Sequence, residues 1–236
     1  MMKLSTKLLL AVLTMAVFAL VGTNLVLKAE YDKINFADPF WNYRRVPLQP
    51  FRHLHVTSTM LQLVEVRQGT GPEPVVYVSK AWADSLQIGQ HRDSLRLGYV
   101  VGERERFSNG YDEADEPKKA SVVVFLPRLA SLTADRRAWV RLNGLRSDSL
   151  TVQVGGPSLV AVRSSRLGVL NLTLRDSAAV WIPAQNQVRT LRFDGADQAG
   201  LKLNADAVQQ FRPVIRDGRV EVRLTGKALT QFVKAE

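Results

Sequence analysis

The chain has no cysteine in its 236 residues. A disulfide framework, a thiol nucleophile and cysteine-based zinc or iron–sulfur sites are therefore excluded. Only three histidines are present, which leaves little for other metal chemistry. Acidic residues are also short: 22 Asp and Glu stand against 32 Lys and Arg, a formal charge of +10. No Gly-x-Ser-x-Gly elbow, phosphate-cradling glycine loop or His-Glu-x-x-His pair occurs, so the standard signatures of acyl transfer, nucleotide binding and zinc hydrolysis are missing. A composition 46% apolar and 23% charged nevertheless supplies a real core, which rules out disorder throughout.

Charge is absent altogether between Lys7 and Lys28. As a helix, the stretch 8–27 spans about 30 Å, the thickness of the bilayer hydrocarbon core. It runs on through Gly22-Thr23-Asn24 into Leu25-Val26-Leu27 with no small-residue cut site. It therefore reads as an uncleaved signal anchor over residues 1–28, with a cleaved signal peptide as the alternative. Lys3 and Lys7 precede it with no acid between them, which puts the N-terminus in the cytoplasm and exports the rest. Three lysines lie within 1–28, so the exported part holds 29 basic residues against 22 acidic ones, +7. Nucleic acid, the usual inference from a basic chain, is not a partner expected outside the membrane. Anionic glycans, lipid headgroups or another envelope protein are. The expected location is the bacterial cell envelope, as a single-pass membrane protein whose C-terminal domain is periplasmic or at the surface.

Residues 29–50 and the Phe51 that follows carry six of the eighteen aromatics and three prolines. A flexible tether would be rich in Gly and Ser. This segment reads instead as a linker that packs, either at the membrane interface or, preferably, as a cap on the domain after it.

From residue 51 onward the apolar pattern alternates with period two, as in Leu54 and Val56, Leu61 and Leu63, and Leu95 and Leu97. Residues 102–120 interrupt it with a charge-dense surface loop. In the second half a longer beat emerges. One column of strand centres is Leu132, Val152, Leu172, Phe193 and Val214, and another is Val140, Val160, Val180, Leu201 and Val222, with steps of 20, 20, 21 and 21 in each. Polar turns recur between them at Asp135-Arg136-Arg137, Gly155-Gly156-Pro157, Arg175-Asp176-Ser177, Asp194-Gly195-Ala196-Asp197 and Arg216-Asp217-Gly218-Arg219. Such a unit cannot bury its apolar face alone and must stack. The expected fold is thus all-β: a right-handed parallel β-helix, or β-solenoid, with coils of about 20 residues over 51–236, preceded by one N-terminal transmembrane helix. A β-sandwich is the alternative, with turns spaced more closely.

An exported N-terminus, the strand Phe51-Arg52-His53-Leu54-His55-Val56, the pair Ser85-Leu86-Gln87-Ile88 and Ser94-Leu95-Arg96-Leu97, and the run Val122-Val123-Val124-Phe125-Leu126-Pro127 resemble the GIN-type domain. That family is described as the head of auto-transporter adhesins, common in Bacteroidetes. The resemblance covers residues 51–226 and implies a β-helical fold and export. It supplies no catalytic residues, and the Arg-rich corners here depart from the family's Ser-Gly corners.

Several side-chain groups invite a functional reading. Arg136, Arg137 and Arg175 at the corners, with Arg141, Arg163 and Arg166 between them, could stack into basic ladders that bind carboxylate or phosphate groups of glycans or lipids. A solvated surface balanced by nearby aspartates is the plainer reading. His53 and His55 share a strand face but show no third metal ligand, and Asp112, Glu113, Asp115 and Glu116 lack the spacing of a calcium loop. No metal, cofactor or catalytic site is therefore expected. The expected function is binding, adhesion or envelope scaffolding. The alternative is a polysaccharide-acting enzyme on a parallel β-helix, with Asp135, Asp176 and Asp217 as its acids.

Overall fold

A computed structural model describes residues 4–35, 37–57, 62–99 and 119–227, which fall into two units, residues 1–42 and 43–236. Most of the charged loop 102–120, with its acidic cluster, lies outside the described residues.

The first unit is built on a helix, α1 (Leu4–Tyr31). Ser5–Tyr31 is long and apolar enough to cross a membrane, with a mean hydropathy of 2.3 and none of its core window buried. Two hydroxyls in its apolar stretch are satisfied within the helix: Thr14 Oγ1 donates to Leu10 O and Thr23 Oγ1 to Ala19 O, each at 2.8 Å. That arrangement lets a polar group sit in an apolar medium. Lys28 in the last turn opposes the negative end of the helix dipole.

The second unit is made of strands. They are β1 (Tyr43–Pro47), β2 (His53–Thr57), β3 (Leu63–Gln68), β4 (Val75–Ser79), β5 (Leu86–His91), β6 (Ser94–Tyr99), β7 (Val122–Leu126), β8 (Ser131–Asp135) and β9 (Trp139–Asn143). There follow β10 (Arg146–Val154), β11 (Leu159–Arg163), β12 (Arg166–Leu174), β13 (Ala179–Ile182), β14 (Gln187–Gly195), β15 (Gly200–Asn204), β16 (Val208–Ile215) and β17 (Glu221–Thr225). β1 lies within the stretch 29–50 that reads as a linker in the sequence. It pairs antiparallel with β4.

The expected right-handed parallel β-helix does not form. Instead there are two mixed sheets and no closed solenoid: nine strands in the order β1-β4-β7-β3-β9-β11-β13-β15-β17, and eight in the order β16-β14-β12-β10-β8-β2-β6-β5. The antiparallel pairs β1/β4, β4/β7 and β5/β6 overturn the uniform coil. The cause is local in β5/β6, where His91 pairs with Ser94 across a two-residue reversal, with Arg92 at φ 52°. So short a reversal can only join antiparallel strands.

The twenty-residue beat nevertheless corresponds to real pairing. Val140, Val160, Val180, Leu201 and Val222 are successive parallel partners in the nine-stranded sheet. Leu132, Val152, Leu172 and Phe193 are likewise partners in the eight-stranded sheet. The fifth place in that column belongs to Pro213, however, while Val214 pairs with Asp194 and is 54% exposed. Both sheets turn these apolar columns into one core, which also takes in Leu54, Val64, Leu95 and Val122 from earlier strands. The inner-face residue is buried at the first four places of each column, which is why the sequence repeats there, while in the last coil Val222 is half-buried and Pro213 exposed.

Candidate functional site

In β10, β12 and β14 the ladder pairs Arg146 with Arg166 and Arg166 with Gln187. It resumes at Ser149, Val169 and Thr190, stepping over Asp148, Gly168 and Arg189. Between β14 and β16 it steps over Arg189 and Gln209 in the same way. Four adjacent strands are thus unpaired at one level, and a groove of about 930 Å³ runs across them there. Residues two apart on a strand share a face. Arg146 and Asp148, Gln187 and Arg189 are accordingly all exposed, while the intervening Leu167, Val188 and Val208 are buried in the core.

Gly168 lies mid-groove because the backbone demands it. A Cβ at that position would fall 2.5 Å from the carbonyl oxygen of Asp148. One end of the groove is stapled by Gln68, whose Oε1 accepts from the Arg146 backbone N–H at 3.1 Å and whose Nε2 donates to Pro127 O. Asn186 forms part of the wall. It is 2% exposed, accepts from Ser165 N at 3.0 Å and donates to Val162 O at 2.7 Å.

Four arginines, Arg128, Arg146, Arg166 and Arg189, line the groove against two carboxylates, Asp148 and Asp206. Arg166 Nε donates to the neutral Gln187 Oε1 at 2.9 Å. Among the described residues, the guanidinium groups of Arg128, Arg146 and Arg189 have no ion-pair partner. Arg146 and Arg166 are direct cross-strand partners of like charge, an unfavourable placement in the absence of an anion.

Of the arginines singled out in the sequence, Arg166 alone lines this groove. Arg136 and Arg137 form the turn between β8 and β9, both with left-handed backbone, φ 51° and 67°. Arg175 follows β12 and donates from Nη2 to Asp194 Oδ1 at 3.0 Å and from Nη1 to Leu174 O at 2.7 Å. Arg141, on β9, faces Glu65 at 3.4 Å, and Arg163 ends β11 beside Asn143. The six therefore do not converge. Sequence reasoning missed Arg128, Arg146, Arg189 and Gln187. The signal was available for the strand residues, since 146, 166 and 187 keep the same steps of 20 and 21 as the apolar columns.

The remaining candidates are occupied locally. His53 Nδ1 lies 2.7 Å from Ser131 Oγ, and His55 Nε2 lies 3.1 Å from Asp135 Oδ2. No group of three His, Asp or Glu residues able to hold a metal occurs among the described residues. Asp217 accepts backbone N–H bonds from Asp197 at 2.8 Å and Arg219 at 2.9 Å, which hold its carboxyl below the usual range. Asp176 is a left-handed turn residue, φ 54°. Neither these two nor Asp135 lines the groove.

No protein-family model matches the sequence, and no curated protein does. The GIN-type resemblance thus has no family match behind it. Among solved structures, a "putative adhesin" from Bacteroides fragilis is similar at 12% identity over 78% of this chain and 94% of its own, with a TM-score of 0.45. A second protein so named, from Parabacteroides merdae, matches at 10% identity over 78% and 93%, with a TM-score of 0.40. A "putative lipid binding protein" from Parabacteroides distasonis matches at 10% identity over 78% and 94%, with a TM-score of 0.33. These names belong to those proteins, and likeness at this level transfers no ligand to this chain.

Proposed function

We propose that this chain is a cell-envelope protein, held in a membrane by α1 with its β-unit exported, that binds anionic ligands in the arginine groove in adhesion or scaffolding, without catalysis. The observation that carries the reading is the groove's charge: four arginines stand against two carboxylates, and none of the four has an ion-pair partner among the described residues, Arg166 bonding only the neutral Gln187. Some arginines elsewhere are neutralised by neighbours, as Arg175 and Arg216 are by Asp194, and others, such as Arg44 and Arg192, are without an ion pair among the described residues; what sets the groove apart is that its arginines are gathered in one place. Cations left side by side with no counter-ion suit a site that receives its anion from outside. The anchor rests on α1, since an apolar helix with its core window wholly exposed within its own unit needs an apolar medium around it.

The test uses the full chain in phosphatidylcholine nanodiscs, titrated with dextran sulfate and with neutral dextran. Dextran sulfate should bind and neutral dextran should not. The double change Arg146→Gln with Arg166→Gln should weaken binding at least about tenfold, whereas Arg136→Gln should change it less than about twofold. Undiminished binding by the double variant would remove the groove as the site. Resistance of the protein to alkaline extraction from membranes checks the anchor. New reducing ends released from acidic polysaccharides would contradict a purely binding role.

A further inference from the structure

We infer that the groove's ligand is a linear acidic polysaccharide lying across β10, β12, β14 and β16, with about one sugar per strand. This rests on the anionic-ligand reading above and narrows it to one chemical class.

The first reason is how the positive charge is distributed. Arg146, Arg166 and Arg189 stand on three successive strands, with Arg128 just before β8, the next strand in the sheet. Strands in a sheet are about 4.8 Å apart, so the four cationic groups are spread over about three such spacings rather than focused on one point. One carboxylate or phosphate could meet two of them at most. A polymer with one charge per unit, and a unit about the length of a strand spacing, could meet the three on β10, β12 and β14 together, with Arg128 beyond its end on the β8 side. A sugar ring has that length.

The second reason is the two carboxylates. Asp148 and Asp206 sit among the arginines, and neither would gain from a ligand made only of anionic groups; Asp206 already accepts from the Lys227 backbone N–H at 3.2 Å, so Asp148 is the carboxylate that a ligand's donors would serve. Ionised carboxylates are pure acceptors and need donors, which sugar hydroxyls supply. Gln187 and Gln209 add amides that can both donate to and accept from hydroxyls. Polyphosphate offers the arginines their partners but gives these aspartates only repulsion. The groove lining includes no aromatic residue, so the stacking platform that single-stranded nucleic acid uses is missing among the described residues.

The test titrates the full chain in phosphatidylcholine nanodiscs with linear oligogalacturonates from one to eight units, and with polyphosphate of matched charge. Affinity for galacturonate should rise about tenfold or more from monomer to tetramer and then level off as the groove fills. Asp148→Asn should weaken the tetramer several-fold and strengthen polyphosphate, a reversal of sign that mere loss of folding cannot produce. Two results would overturn the inference: a tetramer binding no tighter than the monomer, or polyphosphate binding as tightly as the tetramer. If either occurs while dextran sulfate binding still depends on Arg146 and Arg166, only the polysaccharide assignment falls. If dextran sulfate binding ignores both arginines, the groove itself falls as a site.

Discussion

The carboxylate of Glu65 on β3 faces the guanidinium of Arg141 on the neighbouring β9, Oε2 to Nη1, at 3.4 Å, and the glutamate side chain is only 3% exposed. Arg67 Nε donates to the other oxygen at 2.9 Å and Asn143 Nδ2 at 2.8 Å. Burial alone would raise the Glu65 pKa. The bonds from Arg67 and Asn143 and the charges of Arg67 and Arg141 outweigh it, so the carboxyl stays below its ordinary range. Arg141 is thus committed to a structural cluster rather than to an external ligand.

Removing the centre of that cluster should be costly. Glu65→Ala leaves the Arg141 and Arg67 charges facing each other without their acid, and should lower stability by about 3 kcal/mol. The paired change Glu65→Leu with Arg141→Leu should recover part of that loss, because it removes the more buried of the two uncompensated charges, while the Arg67 side chain, 41% exposed, can turn to water. Chemical denaturation of the full chain in detergent measures both. A Glu65→Ala midpoint equal to the parent's would contradict this account.

Asp194 gives a pH prediction. Arg216 Nε and Nη2 both donate to its carboxylate at 2.7 Å, and Arg175 Nη2 at 3.0 Å. The Arg216 bonds lead; burial pushes the other way; Arg175 adds its bond and charge, and the pKa falls from 3.8 to about 2. The folded-state pKa is depressed, so the unfolded chain takes up this proton more readily. The contribution is therefore complete above pH 3.8 and is lost as pH falls toward about 2. Asp194→Asn should melt below the parent above pH 4, and the gap should close between about pH 4 and pH 2. A gap that persists undiminished at pH 2 would mean that the aspartate acts through packing.

The legible part of this fold was the part in which one structural repeat costs one sequence period. Val140, Val160, Val180 and Leu201 fill one buried column that the half-buried Val222 ends, and burial at each recurrence leaves a mark that spacing alone reveals. The same columns are extended by Leu54 beside Leu132 and Val64 beside Val140, from strands that precede a long insertion, so no period announces them. The antiparallel strands β1, β4 and β5 were hidden for a related reason: alternation marks a strand but not its direction. At the last coil the 3₁₀ turn Ala205–Ala207 precedes β16, and the step from Phe193 to its partner Pro213 is 20 rather than 21. That single residue turns Val214 outward. In the groove, Arg166 is legible as a basic strand residue and Arg146 stands one twenty-residue step before it, whereas Arg189, two residues past the matching place at Gln187, falls outside that beat.

The corners themselves are explained by backbone geometry. Arg136 and Arg137, Asp176 and Ser177, and Asp197 and Gln198 are consecutive left-handed pairs, with φ between 50° and 67°. A side chain of Arg type has no preference for that region, whereas Asn tolerates it. Arg136→Asn should therefore stabilise the protein by about 0.5 kcal/mol, a rise of one or two degrees in Tm, while leaving dextran sulfate binding unchanged. Loss of binding together with higher stability would return Arg136 to the list of ligand contacts.

Gly168 joins stability to the groove in one substitution. An added Cβ would lie 2.5 Å from the Asp148 carbonyl oxygen and 3.2 Å from its carbon, and both are backbone atoms that cannot swing aside. Either β10 or β12 must shift at the level where the ladder is already unpaired. Gly168→Ala should cost about 1–3 kcal/mol, the usual penalty for overpacking a fixed site, and so lower Tm by several degrees. The shift would also move Arg146 against Arg166, so binding of dextran sulfate should weaken by more than the unfolded fraction explains. Gly155→Ala is the control, because a Cβ there meets nothing within 4 Å. If Gly168→Ala behaves like Gly155→Ala in both melting and binding, the close approach of β10 and β12 does not shape the groove.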